Sequence, residues 1–291
     1  MSRLEKFGDL LSPDQAEPPI LGPAVRGAVA GWMAEIRAEE ELRAVGLKPR
    51  RRAMLYGPPG TGKTTLAHHV AARLGLRMLR VRADKLTGMY MGQATQAVAG
   101  LFDAVEAQEE PLLLFFDEME GVGRKREGFS GGGADNERLM QMGVLLQRVE
   151  GFAGLMIGAT NKKEMLDDAL WRRFDLQILV DLPGEDERFA IIRRYLAPFA
   201  VSDEEVFALG AALAGASPAL LRSFCESLKR MAILGPRMGR IKTLAEVLET
   251  LAVSVQPHPD YAPPPLWAEA GARAKLVEAF RWRWPLTKEG A

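Results

Sequence analysis

Leu55–Ala67 reads LYGPPGTGKTTLA, and within it Gly57, Gly62, Lys63 and Thr64 satisfy the pattern G-x-x-x-x-G-K-[ST]. Each residue type has a physical reason to stand there. Glycines let backbone N–H groups turn inward and come close to phosphate oxygens, which a Cβ would obstruct. Lys63 supplies a point charge to the β- and γ-phosphates and the hydroxyl of Thr64 ligates Mg²⁺. The helix that begins here turns the positive end of its dipole toward the anion. The flanks are the ones such a loop needs: an apolar strand over Ala53–Tyr56 before it, and a helical pattern of Leu66, Val70 and Leu74 after it. The stretch predicts a nucleoside triphosphate site.

The next informative run is Pro111–Glu118, PLLLFFDE. An unbroken apolar run reads as a strand buried on both faces, as in the middle of a parallel sheet. Two carboxylates at its end are costly unless a cation meets them. Asp117 is therefore expected beside the Mg²⁺, and Glu118 is expected to orient and deprotonate the attacking water. A further strand, Leu155–Gly158, leads to Asn161, which either hydrogen-bonds the γ-phosphate or water or forms a plain turn.

Strands at Met78–Val81 and Leu176–Val180, alternating with helices of about a dozen residues, imply a parallel, doubly wound α/β sheet with its ligand site at the carboxyl ends of the strands. From Glu185 the strands stop. Helical periodicity over Glu187–Ala197, Asp203–Ala214 and Pro218–Leu234 predicts a small all-helical unit, and Ile241–Val253 is one more amphipathic helix. Gln256–Pro265 is a proline-rich linker. The tail Leu266–Trp284 carries a tryptophan-bearing stripe that docks on the chain's own helical unit or meets a partner. Met1–Pro19 is polar, holds three prolines and reads as a loosely held lead-in, followed by a helix over Pro23–Val45. The expected organisation is thus a flexible lead-in over 1–19, a nucleotide-binding α/β domain over 20–184, a helical lid over 185–253, and a linker with a C-terminal helix over 254–291.

The bulk numbers bound the class. In 291 residues, 47% are hydrophobic and 26% charged, the profile of a globular chain with a real core. Lysine plus arginine and aspartate plus glutamate are both 38, which removes the crude electrostatic argument for nonspecific nucleic-acid binding. One cysteine, Cys225, excludes an internal disulfide and any multi-cysteine metal site. The start lacks the apolar region of a signal peptide, and no apolar run approaches a membrane span, so a cytoplasmic protein without a membrane partner is expected.

Taken in order, GPPGTGKT (57–64), LLLFFDE (112–118), IGATN (157–161) and LDDALWRRFD (166–175) resemble the motifs of the AAA+ ATPases, and within them of the AAA family proper, over about Ile20 to Leu234. The adjacent arginines of the last motif, with no Pro-Gly between them, look most like the meiotic branch of katanin and spastin. The resemblance implies a P-loop NTPase parallel sheet sandwiched by helices (the AAA+ large domain), followed by a small all-helical lid domain, with ATP and Mg²⁺ as cofactors. It makes Gly57, Pro58, Pro59, Gly60, Thr61, Gly62, Lys63 and Thr64 the Walker A loop, with Thr65 next to it; Thr64 and Asp117 would face the metal. Asp117 and Glu118 become Walker B and Asn161 the first sensor. Arg172 and Arg173 become paired arginine fingers that act on the neighbouring copy's nucleotide, which implies a homo-oligomeric ring, usually a hexamer. Leu86–Ala94 matches a first pore loop, with Tyr90 and Met91 as the pair that grips a polypeptide, and Phe129 falls where a second pore loop belongs. The lid reads GASPALLRSF (215–224) where the family usually shows a Ser-Gly-Ala-Asp run; Arg222 stands near the place of a second-sensor arginine. The lead-in is too short for a folded substrate-recruiting domain.

The expected function is a ring-forming ATPase that remodels or threads a protein substrate. A second expectation is a nucleic-acid-directed loader or helicase-like ATPase, drawing on the basic run Lys48–Arg52, on Arg124–Arg126 and on the RWRWP of the tail. A third is an ATP-state switch that gates a companion effector protein. Neutral net charge and the aromatic pore loop favour the first.

Overall fold

The computed structural model describes residues 4–86, 93–124, 133–238, 243–269 and 271–279. Two compact units divide the chain. The first, residues 1–19, 23–58 and 62–180, is built on a six-stranded sheet. Its strands are β1 (Gly8–Leu11), β2 (Arg52–Tyr56), β3 (Arg77–Val81), β4 (Leu112–Phe116), β5 (Leu155–Thr160) and β6 (Leu176–Leu179), in the spatial order β1-β3-β4-β5-β2-β6. All neighbours run parallel except β1, which pairs antiparallel with β3 through Gly8 opposite Val81.

The helices of this unit are α1 (Pro23–Arg37), α2 (Glu39–Ala44), α3 (Lys63–Arg73), α4 (Ala83–Leu86), α5 (Gln93–Glu106), α6 (Gly133–Gly151) and α7 (Asp168–Trp171). Strand β4 is buried at every position, as its unbroken apolar run requires. Alternation splits its side chains between two layers. Leu112, Leu114 and Phe116 join a core with Val98, Leu101 and Phe102 of α5 and with Leu145 and Val149 of α6. Leu113 and Phe115 turn to the other face, where α3 lies and buries Leu66, Ala67, Val70 and Ala71. Leu139 of α6 is exposed.

The basic run before β2 is not a free cluster. Arg50 donates from its backbone N–H and guanidinium to Glu35, Arg51 pairs with Glu39, and Arg52 pairs with Asp175. The Arg50 guanidinium holds the Glu35 carboxyl below its ordinary range. Trp32, a buried residue of α1, donates its indole N–H to the Arg50 carbonyl at 2.8 Å. Together these contacts fix how the chain enters β2.

The second unit comprises residues 20–22, 59–61 and 181–291. Its helices are α8 (Glu185–Leu196), α9 (Asp203–Ala212), α10 (Pro218–Met238), α11 (Leu244–Ser254), α12 (Pro265–Ala268) and α13 (Ala272–Ala279). Ser202 and Thr243 each open a helix with a capping box, paired with Glu205 and Glu246 respectively. Ile192, Val206, Leu221, Phe224, Cys225 and Leu248 form its core, and burial pushes the Cys225 thiol up to about 12. The tail docks on this same unit: Leu266 and Leu276 are buried in the core, and Trp267 packs edge-on against Phe224. It does so as two short helices, because the chain breaks at Glu269 in an extended conformation, rather than as one continuous helix. No helix among the described residues is long and apolar enough to cross a membrane.

The lead-in differs most from its reading as a loose segment. Residues 8–11 complete the sheet edge, and Leu4 and Phe7 are buried in the core beside α5. His68 of α3 meets the Ser12 carbonyl at 2.8 Å. The expected cost of Leu4→Ala is about 2–5 kcal/mol in a denaturant titration, the penalty for emptying a buried leucine site. A loosely held segment would instead show a change of less than about 0.5 kcal/mol.

Candidate active site

The register of the sheet sets the site. Tyr56 ends β2 level with Thr160 of β5, and Phe116 ends β4 level with Gly158. Three strand ends therefore deliver the loop after Tyr56, the acids after Phe116 and Asn161 to one edge. Gly57 turns away from β2 with φ +142°, and a Cβ there would stand 2.3 Å from the Val180 carbonyl oxygen, so no other residue fits without moving β6's exit. Gly62 lies in the left-handed region, φ +90°, immediately before α3. As the N-cap it offers no side-chain acceptor, which leaves the first-turn N–H groups of α3 for an anion.

Lys63 opens that helix with its ammonium buried. The Nζ donates to the carbonyls of Gly57 at 2.8 Å and Pro58 at 2.7 Å. Burial lowers its pKa to about 8, against the opposing pull of Asp117 and Glu120. Thr64 donates its hydroxyl to Asp117 Oδ2 at 3.0 Å, and Thr65 is exposed on α3. A hydroxyl and a carboxylate oxygen in contact are hard donors of the kind Mg²⁺ takes when phosphates and waters complete its shell, so these two residues fit that ion. The middle of the loop, Pro59, Gly60 and Thr61, groups with the second unit. There the Gly60 carbonyl accepts the Ala219 N–H at 3.1 Å.

Glu118 is the one non-glycine residue with positive φ among the described residues, at +51°. Holding a glutamate in the left-handed region costs roughly 1–2 kcal/mol, a strain typical of functional positions. Its side chain is exposed, and it lines, with Asp117, a cavity of about 410 Å³. Asn161 follows β5 directly, and its backbone N–H donates to Glu120 Oε1 at 3.3 Å. Glu120 escaped the sequence reading. The signal was there, a third carboxylate in Asp117-Glu118-Met119-Glu120, but nothing in the pattern says that it turns inward.

The two arginines read as a pair differ. Arg172 is exposed, its backbone N–H donates to the Asp168 carbonyl, and its guanidinium makes no hydrogen bond or ion pair among the described residues. Arg173 folds back: Nη1 donates to the Ala169 carbonyl at 2.8 Å, Nη2 lies 3.3 Å from Glu150, and Nε is covered without a partner. A second unread feature sits just before them. The ring of Trp171 packs edge-on against Tyr56, the last residue of β2, with centroids 5.2 Å apart, and Lys163 Nζ lies 5.3 Å from the Tyr56 centroid. In the second unit, Arg222 donates to Glu226 at 2.8 Å and lies over the Tyr195 ring. Tyr90, Met91 and Phe129 lie outside the described residues.

Residues 53–182 match the model of the family described as ATPase family associated with various cellular activities (AAA). The chain is 37% identical over 204 residues to the ATP-dependent zinc metalloprotease FtsH 4 of Sphaerobacter thermophilus, which takes in 68% of this chain and 31% of that protein. It is 33% identical over 209 residues to the proteasome-activating nucleotidase of Methanothermobacter thermautotrophicus, with 69% of this chain and 50% of that protein covered. The chain thus spans about a third to a half of the length of these curated relatives. The crystal structure of the FIGL-1 AAA domain superposes with a TM-score of 0.68 at 21% identity, covering 87% of each chain, a likeness of fold. With the loop, the acids and the sheet order in place at residues 53–182, the chain belongs to the AAA family of ATPases.

Proposed function

We propose that this chain hydrolyses ATP in a ring of like subunits and spends the cycle on remodelling a protein substrate. The observation that carries the first half is Lys63: a buried ammonium that donates to the loop carbonyls of Gly57 and Pro58, at the start of a helix whose N-cap makes no side-chain cap hydrogen bond. Such a site is complete only when an anion enters it. Phosphate oxygens would draw Lys63 from the Gly57 and Pro58 carbonyls and meet the first-turn N–H groups of α3. Mg²⁺, when bound to Thr64 and Asp117, supplies neutralisation of the charge that builds on the β- and γ-phosphates.

Glu118, beyond the strand and exposed, is placed to take a proton from water, and Asn161 at the neighbouring strand end to orient that water. Arg172, without an internal partner among the described residues, is the guanidinium available to a neighbouring subunit; Arg173 would first have to leave Glu150 and the Ala169 carbonyl. A polypeptide substrate is supported by the names of two relatives, an ATP-dependent metalloprotease and a nucleotidase that activates the proteasome. The nucleic-acid alternative loses ground, because Arg50, Arg51 and Arg52 each already have a carboxylate partner. A single thiol, buried and held protonated, suits a reducing cytoplasm.

Glu118→Gln is expected to bind ATP with unchanged affinity and to lower kcat about 10²–10⁴-fold, since the base is lost and the cation site kept. Normal turnover in that variant would remove the hydrolytic assignment. Tyr90→Ala should abolish the rise in ATPase rate that an unfolded polypeptide produces, while leaving the basal rate within about twofold; a preserved rise rules out threading through that loop. An equimolar mixture of Lys63→Ala and Arg172→Ala chains, each inactive alone, should recover activity. Random mixing in a ring joins an intact loop to an intact finger at about a quarter of the interfaces. A mixture as inactive as its components argues against a finger supplied by the neighbour.

A further inference from the structure

Glu120 stands two residues beyond Glu118, on the single turn Met119–Gly121. The left-handed backbone at Glu118 sends the chain back on itself, so Glu120 reaches the end of β5 instead of continuing along β4. Its Oε1 accepts the Asn161 N–H at 3.3 Å. Its Oε2 is wholly covered and meets no donor among the described residues. A buried acceptor left in that state costs on the order of 1–3 kcal/mol, more when charged. Glu120 is one of the two carboxylates that pull on the buried Lys63 ammonium, which offsets part of that cost; that attraction accounts for a carboxylate nearby but not for the reach of Oε1 to the Asn161 amide.

What the glutamate does hold is a turn. Asn161 and Lys162 are the first two residues after β5, and both of their amides are taken by side chains: Glu120 accepts from Asn161, and the hydroxyl of Thr160 accepts from Lys162 at 3.1 Å. Thr160 is buried and belongs to β5 itself, so its contact is local. Glu120 comes from the next strand over. Its contact is a hydrogen bond from the exit of β5 to the exit of β4, and thus ties Asn161 to the turn that follows the acids at 117 and 118.

We infer that Glu120 is a positioning residue for the reaction: by holding the Asn161 amide it sets where that side chain stands relative to Glu118. The inference rests on the ATPase reading of the site. Glu120 reaches Lys63 through its charge alone, which Glu120→Asp keeps, whereas its hydrogen bond goes to the Asn161 amide; the main effect of its loss should therefore fall on the alignment of water, Glu118 and Asn161 and not on nucleotide binding. Misplacement of about 1 Å in such an arrangement can cost about a hundredfold in rate.

The test uses three variants of the full chain, with kcat from steady-state ATPase and Kd from titration with a fluorescent ATP analogue. Glu120→Ala, which lacks the acceptor, should lower kcat about 10–100-fold with Kd within about threefold of the parent. Glu120→Asp, one methylene too short to reach the amide, should behave the same way although its charge is intact. Glu120→Gln keeps both length and an acceptor oxygen and should restore kcat to within about threefold. An unimpaired Glu120→Ala, or a Glu120→Gln as slow as Glu120→Ala, overturns the inference. So does a parallel loss of Kd and kcat in both shortened variants, which would make Glu120 a mere support of the fold. Glu118→Gln measured beside them separates the two levels. If it is slow while Glu120→Ala is fast, only the positioning role falls; if it too turns over normally, the ATPase reading falls with it.

Discussion

A buried ammonium is the constraint around which the first unit is arranged. Taking the Lys63 charge out of water is unfavourable, and the shift of its pKa to about 8 records how incompletely two carbonyls and two nearby carboxylates make up for the lost hydration. A site of this kind is strongly attractive to an anion. The protein keeps it because the surrounding structure gives the lysine no other place: α3 is pinned through Leu66, Ala67, Val70 and Ala71 against the sheet, and Lys63 is its first residue.

The order β4-β5-β2 then explains why the acids and Asn161 are neighbours of that lysine although more than fifty residues separate them in the chain. A parallel sheet puts every carboxyl end on one edge, and adjacency of strands decides which loops meet there. With β5 between β4 and β2, Asn161 falls between Asp117 and the glycine loop. The buried apolar strands make this register rigid, since a slip by one residue would turn Phe116 and Leu114 out of the α5–α6 core.

These central features were legible because each had a signal stronger than its surroundings: a continuous apolar run for β4, a glycine-lysine spacing for the loop, a switch from alternating strands to pure helical period at Glu185. The parts that escaped had weak local signals and strong tertiary ones. Strand β1 is four residues, Gly-Asp-Leu-Leu, in a polar segment with prolines; it becomes a strand only because β3 offers a free edge and Leu4 and Phe7 find room beside α5. The sheet was accordingly expected to be parallel throughout, and its antiparallel edge came as the correction. The tail was read as one helix because its tryptophan stripe has helical spacing, yet the extended backbone at Glu269 divides it. Glu120 was invisible for a related reason. Its direction depends on a left-handed backbone at Glu118, and residue type does not announce that conformation in a glutamate.

Arg172 and Arg173 show how far adjacency in sequence is from equivalence. The single turn of α7 ends at Trp171 with Arg172 as its C-cap, and successive residues of such a turn point about 100° apart. Trp171, packed on Tyr56, fixes the rotation of that turn. The consequence is that Arg173 is carried inward to Ala169 and Glu150, where its Nε is covered, while Arg172 is carried outward. The Arg173 guanidinium is a structural tie of its own turn and can reach elsewhere only by breaking those contacts first. The pair is therefore divided by geometry into a residue that secures α7 and a residue that α7 presents, and it is the aromatic contact to the end of β2, the strand that leads into Gly57, that makes the division.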